Sequence, residues 1–317
     1  MDFNYFVFLV VILTIKKYLN RLAKKKKKYE KLPDGVIKAA YEYAPSTNKK
    51  LLRECNIYTL ENTDTRKMPI IIDIHGGCWV HGDKDVYDEY NSHLVKEGNV
   101  VSSLTYRTAD KASLGDQIRD VFAYLNFLEE NADELKISLD QVMLTGDSAG
   151  AELALVCHCI NQSEEMQRVF KVKPIHFDIQ AMVLTHPVCF IDQAGTIPQS
   201  QFLSKHFGVP GLQRFLYGKN YHESEEYQYS VNPTKFIDEN MTFPPILLVT
   251  SEGDSTFKYQ TFLLADLFDS CKIDYRIYFE QSKDAPHVFN ISKPLDRLAL
   301  KCNQYINDFF HTSLLSQ

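Results

Sequence analysis

Residues 141–159 read QVMLTGDSAGAELALVCHC. Gln141 to Thr145, with Val142, Met143 and Leu144 at its centre, has the apolar run of a short buried strand, and Ala149 onward has the alanine and leucine content of a helix. Between them stands Gly146-Asp147-Ser148-Ala149-Gly150. A serine on so tight a strand-to-helix turn needs glycine two positions away on each side, because a side chain there would strike the turn or an adjacent strand. Its hydroxyl then projects into the crevice beside the sheet, and the helix N-terminus behind it favours developing negative charge. A Gly-x-Ser-x-Gly string arises by chance in roughly one chain in ten. Its placement between strand and helix is what gives it weight.

Towards the N-terminus, a predicted strand from Pro69 to Ile74 runs into His75-Gly76-Gly77-Cys78-Trp79-Val80-His81-Gly82-Asp83. A tetrahedral acyl intermediate needs two or three N–H donors aimed at its oxygen, and a glycine-rich loop lets backbone approach that closely. Loop and elbow in this order resemble the hormone-sensitive-lipase-like branch of the α/β-hydrolases, which includes carboxylesterases and arylacetamide deacetylases. The chain also resembles kynurenine-formamidase-type relatives, whose loop reads His-Gly-Gly-x-Trp. The resemblance covers roughly residues 55–310. It implies an α/β-hydrolase fold, a mostly parallel central sheet flanked by helices with a cap-like insertion. It also implies an oxyanion hole made by the backbone N–H groups of Gly77, Cys78 and Ala149, with Gly76 shaping the loop. Lipase-like esterases usually carry glycine where this chain has Cys78, and an N–H donor remains available there if the backbone stays in an L-residue region. Cys78 lies in the oxyanion loop and is not taken as a nucleophile; His75 and His81 are taken as structural. Thr105-Tyr106-Arg107 is similar to the Tyr-Arg after the next strand in these enzymes, although Thr108-Ala109-Asp110 replaces the usual Leu-Ala-Pro.

A serine hydroxyl becomes nucleophilic when a histidine takes its proton and a carboxylate fixes the imidazole tautomer, and in this fold the chain order is Ser, Asp or Glu, His. After the predicted strand Ile246 to Thr250 comes Ser251-Glu252-Gly253-Asp254, and Asp254 stands at the position where the family places its acid, with Glu252 as the competing carboxylate. His287, in Asp284-Ala285-Pro286-His287-Val288-Phe289, follows the last predicted strand at the family's His-x-Phe position. The expected catalytic set is Ser148, Asp254 and His287, with no cofactor and no metal.

Further predicted strands are Asn56 to Leu60, Val100 to Tyr106, Ala181 to Thr185 and Asp274 to Phe279, alternating with helical patterns as in a parallel sheet wrapped by helices. Ile118, Val121, Phe122, Leu125 and Leu128 mark one apolar helical stripe. Other helices are expected over Tyr259 to Ser270 and Leu295 to Phe310. Residues 190–242 break the alternation and read as an insertion over the C-terminal edge of the sheet, where ligands bind in open α/β folds.

Residues 3–15 read FNYFVFLVVILTI and are followed by Lys16, Lys17 and the run Lys24 to Lys28. At about 1.5 Å per residue this stretch reaches roughly 20 Å, short of a hydrocarbon core of about 30 Å. Lysines after the apolar run, rather than before it, argue against a secretory signal. The expectation is a membrane-directed leader with a transmembrane helix and polybasic linker over 1–31, the alternative being a buried N-terminal helix of the domain, and a catalytic domain over 32–317 on the cytoplasmic face, where anionic headgroups attract lysine. Seven cysteines without Cys-x-x-Cys spacing read as reduced thiols, and a net charge of −6 excludes a general nucleic-acid binder. The expected function is carboxylesterase or lipase-like hydrolysis of a small apolar ester or acyl substrate. An arylformamidase-type amide hydrolase and a membrane-tethered, non-catalytic binding module of the same fold are the alternatives.

Overall fold

Ile70-Ile71-Ile72-Asp73-Ile74 is buried at every position, so this strand sits between two covered faces, as strands of parallel sheets do. The computed structural model describes residues 3–27, 32–46, 52–193 and 209–315. In chain order these form α1 (Phe3–Lys27), β1 (Val36–Glu42), β2 (Glu54–Leu60), β3 (Ile70–Ile74), α2 (Asp88–Lys96), β4 (Val100–Leu104), α3 (Leu114–Leu135) and β5 (Val142–Asp147). There follow α4 (Ala149–Asn161), α5 (Glu164–Phe170), β6 (Ala181–Thr185), α6 (Val209–Tyr217), β7 (Ile246–Ser251), α7 (Lys258–Cys271), β8 (Tyr275–Glu280) and α8 (Arg297–Leu315). The eight strands make one sheet in the order β1-β2-β4-β3-β5-β6-β7-β8. The pairs β1/β2 and β2/β4 are antiparallel and every other pair is parallel.

Successive strand residues feed opposite faces, the period-2 rule at work. Ile70, Ile72 and Ile74 join one core cluster and Ile71 the other; Val142 and Leu144 part from Met143 in the same way. The first face is covered by α3, α4, α5 and α7 through Ile118, Leu153, Phe170 and Leu264. The second is covered by α2 and α8 through Leu94 and Ile306. The long helix α3 starts at a capping box in which Ser113 and Asp116 bond each other's backbone N–H groups.

The N-terminal segment departs from expectation. Instead of a membrane span it forms α1, which packs on the domain with Phe8 1% and Ile12 3% exposed. The Phe8 ring meets Phe215 of α6 edge-on at 5.7 Å, the Arg214 guanidinium lies 4.1 Å over Tyr5, and Lys16 pairs with Asp110. Asn20 Oδ1 meets His81 Nδ1 at 3.0 Å, so the helix ties α6 to the glycine-rich loop after β3. Among the described residues no helix is long and apolar enough to cross a membrane. The physical reason is that α1 divides its apolar side chains between faces, and Lys16 and Lys17 arrive before it reaches bilayer length. Residues 28–31 of the polybasic linker, and 194–208 of the 190–242 insertion, lie outside the described residues.

Candidate active site

The strand β5 runs two residues further than its apolar pattern indicates, to Asp147, and α4 begins at Ala149, leaving Ser148 alone on the turn. Ser148 stands at φ 52° and ψ −115°, a region normally left to glycine. A Cβ at Gly146 would lie 2.4 Å from Gly150 O, and one at Gly150 would lie 2.0 Å from Ile74 O. The flanking glycines are therefore required by close backbone approach. The Ser148 N–H donates to Thr185 O at 2.9 Å, which binds the elbow to the end of β6.

Asp254, 2% exposed, lies just beyond β7. His287 lies in the loop after β8, and its Nδ1 donates to Asp254 Oδ2 at 2.7 Å. That bond places the proton on Nδ1 and leaves Nε2 as the basic nitrogen. The Phe257 ring packs 4.8 Å from the His287 ring. Oδ1 of Asp254 accepts the backbone N–H groups of Thr256 at 3.2 Å and Phe257 at 2.9 Å. Burial would raise the Asp254 pKa, but hydrogen bonds from His186 and His287 outweigh it and hold the carboxyl well below the usual carboxylate range. Glu252 instead pairs with Lys258 at 2.8 Å, which removes it as the competing acid.

His186 was not expected here. It follows β6 directly, and its Nδ1 donates to the same Asp254 Oδ2 at 2.9 Å. Its ring sits edge-on to the His287 ring at 5.2 Å. The elbow is bonded to Thr185, the residue before this histidine, and the His287 ring packs against the histidine itself. Among the described residues no hydrogen bond joins Ser148 Oγ to His287 Nε2, a contact that in unliganded hydrolases often tightens only with substrate. His186, Asp254 and His287 also bring ligand-type atoms within 4.8 Å of one another, but both Nδ1 atoms are committed to the carboxylate.

The glycine-rich loop after β3 is wound by consecutive left-handed residues, Gly77 (φ 112°), Cys78 (φ 54°) and Trp79 (φ 59°). Cys78 thus takes the left-handed conformation that glycine favours, as the glycine usual at this position in lipase-like esterases would. Val80 and His81 donate back to Gly77 O at 3.1 Å each. Gly77 and Cys78 lie on this turn, and Ala149 is the first residue of α4. Burial, reinforced by the Asp147 charge, pushes the Cys78 thiol up to about 11, so it is protonated at neutral pH and is no nucleophile. His75 stacks on Tyr106 at 4.2 Å, and the Tyr106 hydroxyl donates to His75 O at 2.8 Å, a structural role for both.

Two buried carboxyl groups brace this loop. Asp147 Oδ1 accepts the Gly76 N–H at 2.7 Å and Oδ2 the Tyr87 hydroxyl at 2.8 Å. Burial lifts the Asp147 pKa to about 6 against these bonds. Glu152, buried in α4, accepts Trp79 Nε1 at 3.2 Å, and burial raises it to about 8.

A methyl group at Gly76 would sit 2.4 Å from Asp147 Oδ2 and 2.6 Å from Asp147 O. Gly76→Ala is therefore expected to lower stability by about 1–3 kcal/mol and to cut kcat by roughly 10²-fold as the oxyanion donors shift. Thermal unfolding and steady-state kinetics check this, and a kcat within twofold of the parent would show that the Asp147 contact does not set the loop.

Residues 55–266 match the family described as BD-FAE. A putative α/β hydrolase, R526, of Acanthamoeba polyphaga mimivirus is 22% identical over 256 residues, 76% of this chain and 70% of the relative. Probable carboxylesterase 5 of Arabidopsis thaliana is 21% identical over 283 residues, 84% of each. Among solved structures, esterase B from Lactobacillus rhamnosis superposes with a TM-score of 0.87 at 26% identity, covering 98% of this chain and 96% of that one. A structure of the same esterase with a tributyrin phosphonate gives 0.84 at 25% identity, covering 96% and 95%.

Proposed function

The chain belongs to the BD-FAE family of α/β-hydrolases and is a carboxylic ester hydrolase, and we propose that it works through Ser148, Asp254 and His287 with a covalent acyl-enzyme intermediate. The observation that carries this is the 2.7 Å bond from His287 Nδ1 to the Asp254 carboxylate, formed by residues 33 apart in sequence in the segments that follow the adjacent strands β7 and β8. His287 Nε2 takes the Ser148 Oγ proton as the oxygen attacks the acyl carbon. The N–H groups of Gly77, Cys78 and Ala149 hold the oxyanion, and His287 returns the proton to the leaving alkoxide. Water then repeats the cycle in reverse roles and releases the acid. Short-chain acyl esters are the proposed substrate class, supported by the tributyrin phosphonate bound to the Lactobacillus esterase.

A fluorophosphonate probe is expected to label Ser148, located by peptide mapping. A panel of p-nitrophenyl esters is expected to give highest kcat/KM at acetyl to butyryl, above an N-formylated aromatic amine. A folded protein that takes no label would refute the nucleophile, and a preference for the formamide would move the reaction to amide cleavage.

A further inference from the structure

Two imidazoles, not one, donate to Asp254. Both Nδ1–H groups converge on Oδ2, from His186 at 2.9 Å and from His287 at 2.7 Å. Oδ1 is held by two backbone N–H groups. We propose that His186 is a positioning residue of the reaction: its Nδ1–H holds Asp254 against rotation and draws charge from Oδ2, tempering the pull of that oxygen on the proton His287 takes from Ser148. This rests on the Ser148, Asp254, His287 assignment.

The geometry around His186 favours this role over simple packing. The residue is fully buried, and among the described residues its Nε2 has no hydrogen-bond partner. A purely apolar side chain would fill the site without stranding that nitrogen. The contact an imidazole adds is the one through Nδ1. To reach it, the backbone adopts φ 47° at His186, while its N–H donates to Val249 O at 2.7 Å. Ring packing with Phe289, at 5.9 Å and 82°, steadies the plane. Burial outweighs the Asp254 interaction and lowers the His186 pKa to about 4, so His186 is a neutral donor wherever the base is active.

The other charged groups about the cluster are Asp147 at the end of β5, which interacts electrostatically with His287, and Glu252 with Lys258, which pair with each other. None of them donates to Oδ2. Removing the His186 donor therefore leaves Oδ2 more negative and more mobile. The first effect makes the imidazolium easier to form, moving the acid limb of kcat/KM to higher pH; the second lowers kcat.

The test begins with the wild-type protein labelled with ¹⁵N-histidine. One ring, assigned by its loss in His186→Asn, should stay in the neutral Nδ1–H tautomer from about pH 8 to about pH 5. Kinetics on p-nitrophenyl acetate should show kcat of His186→Phe down roughly tenfold or more, and the acid limb up by about half a unit, with KM within about twofold. His186→Asn, whose amide can donate from nearly the Nδ1 position, should restore most of the loss. Parent-like kcat and pH profile in a folded His186→Phe would overturn the proposal. If that variant does not fold, an Nε2–H tautomer, or titration of the ring above about pH 6, would overturn it on the wild type alone. Fluorophosphonate labelling of the parent separates the two levels: label retained while these readouts fail sinks only the role of His186, and label absent sinks the triad.

Discussion

Ser148→Ala is expected to lower kcat on an activated short-chain ester by about 10⁴-fold or more while KM changes little, because the hydroxyl is needed only once the acyl carbon is attacked. His287→Ala should cost a similar factor. The double variant should be no worse than either single one, since hydroxyl and imidazole act as one unit. Stability separates the two ways of removing the nucleophile. Alanine keeps a Cβ at φ 52° and so keeps the backbone strain, leaving thermal unfolding near the parent's. Ser148→Gly releases that strain and should be equally inactive yet more stable by about 1 kcal/mol. Kinetics with active-site titration, beside calorimetry, measure both effects. An alanine variant above about 1% of parent activity would show that another group performs the attack.

The residues proposed for catalysis could be picked out in the sequence because each of them follows a parallel strand. Apolar, β-branched runs over Ile70 to Ile74, Ala181 to Thr185 and Ile246 to Ser251 identify strands buried on both faces. In a parallel sheet the residues just past such runs gather along one edge. Glycines beside Ser148 and Asp254 then mark where the backbone must turn sharply. By contrast β1, Val36–Glu42, escaped notice: at the sheet edge it has only one buried residue, so it lacks a continuous apolar signal.

The N-terminal helix was misjudged for a different reason. A bilayer and the surface of α6 are both apolar surroundings, and composition reports only the need for one. What decides between them is the reciprocal fit of Phe8 with Phe215 and Gly211, a contact between residues some 200 positions apart. His186 and Glu152 were missed although faint signals existed. His186-Pro187 directly follows a buried strand that ends at the reactive edge. Glu152 interrupts an otherwise apolar helix, AGAELALVCHC, and a carboxyl group in that setting needs a hydrogen-bond partner, which proves to be Trp79.

Asp254→Asn is expected to be almost as damaging as loss of the nucleophile, for reasons of hydrogen-bond count. The carboxylate accepts four N–H groups: Thr256 and Phe257 at Oδ1, His186 and His287 at Oδ2. An amide has one oxygen and one NH₂, so one side must face donors with a donor. If its oxygen stays on the backbone, the NH₂ forces both rings to present an unprotonated Nδ1, and His287 then carries its proton on Nε2, where it cannot accept one from Ser148. The wrong tautomer is worth about 10⁴-fold in kcat in a comparable triad. Stability falls too. The folded-state pKa of Asp254 is depressed, so the stabilisation it provides is present above the unfolded value of about 3.9 and is lost as pH falls through the folded value. At pH 7 Asp254→Asn should therefore cost roughly 2 kcal/mol or more, and the gap to the parent should narrow on acidification below about pH 4. Denaturant unfolding at several pH values, with kcat measured in parallel, checks both effects. An asparagine variant within tenfold of the parent would show that Asp254 does not set the histidine tautomer.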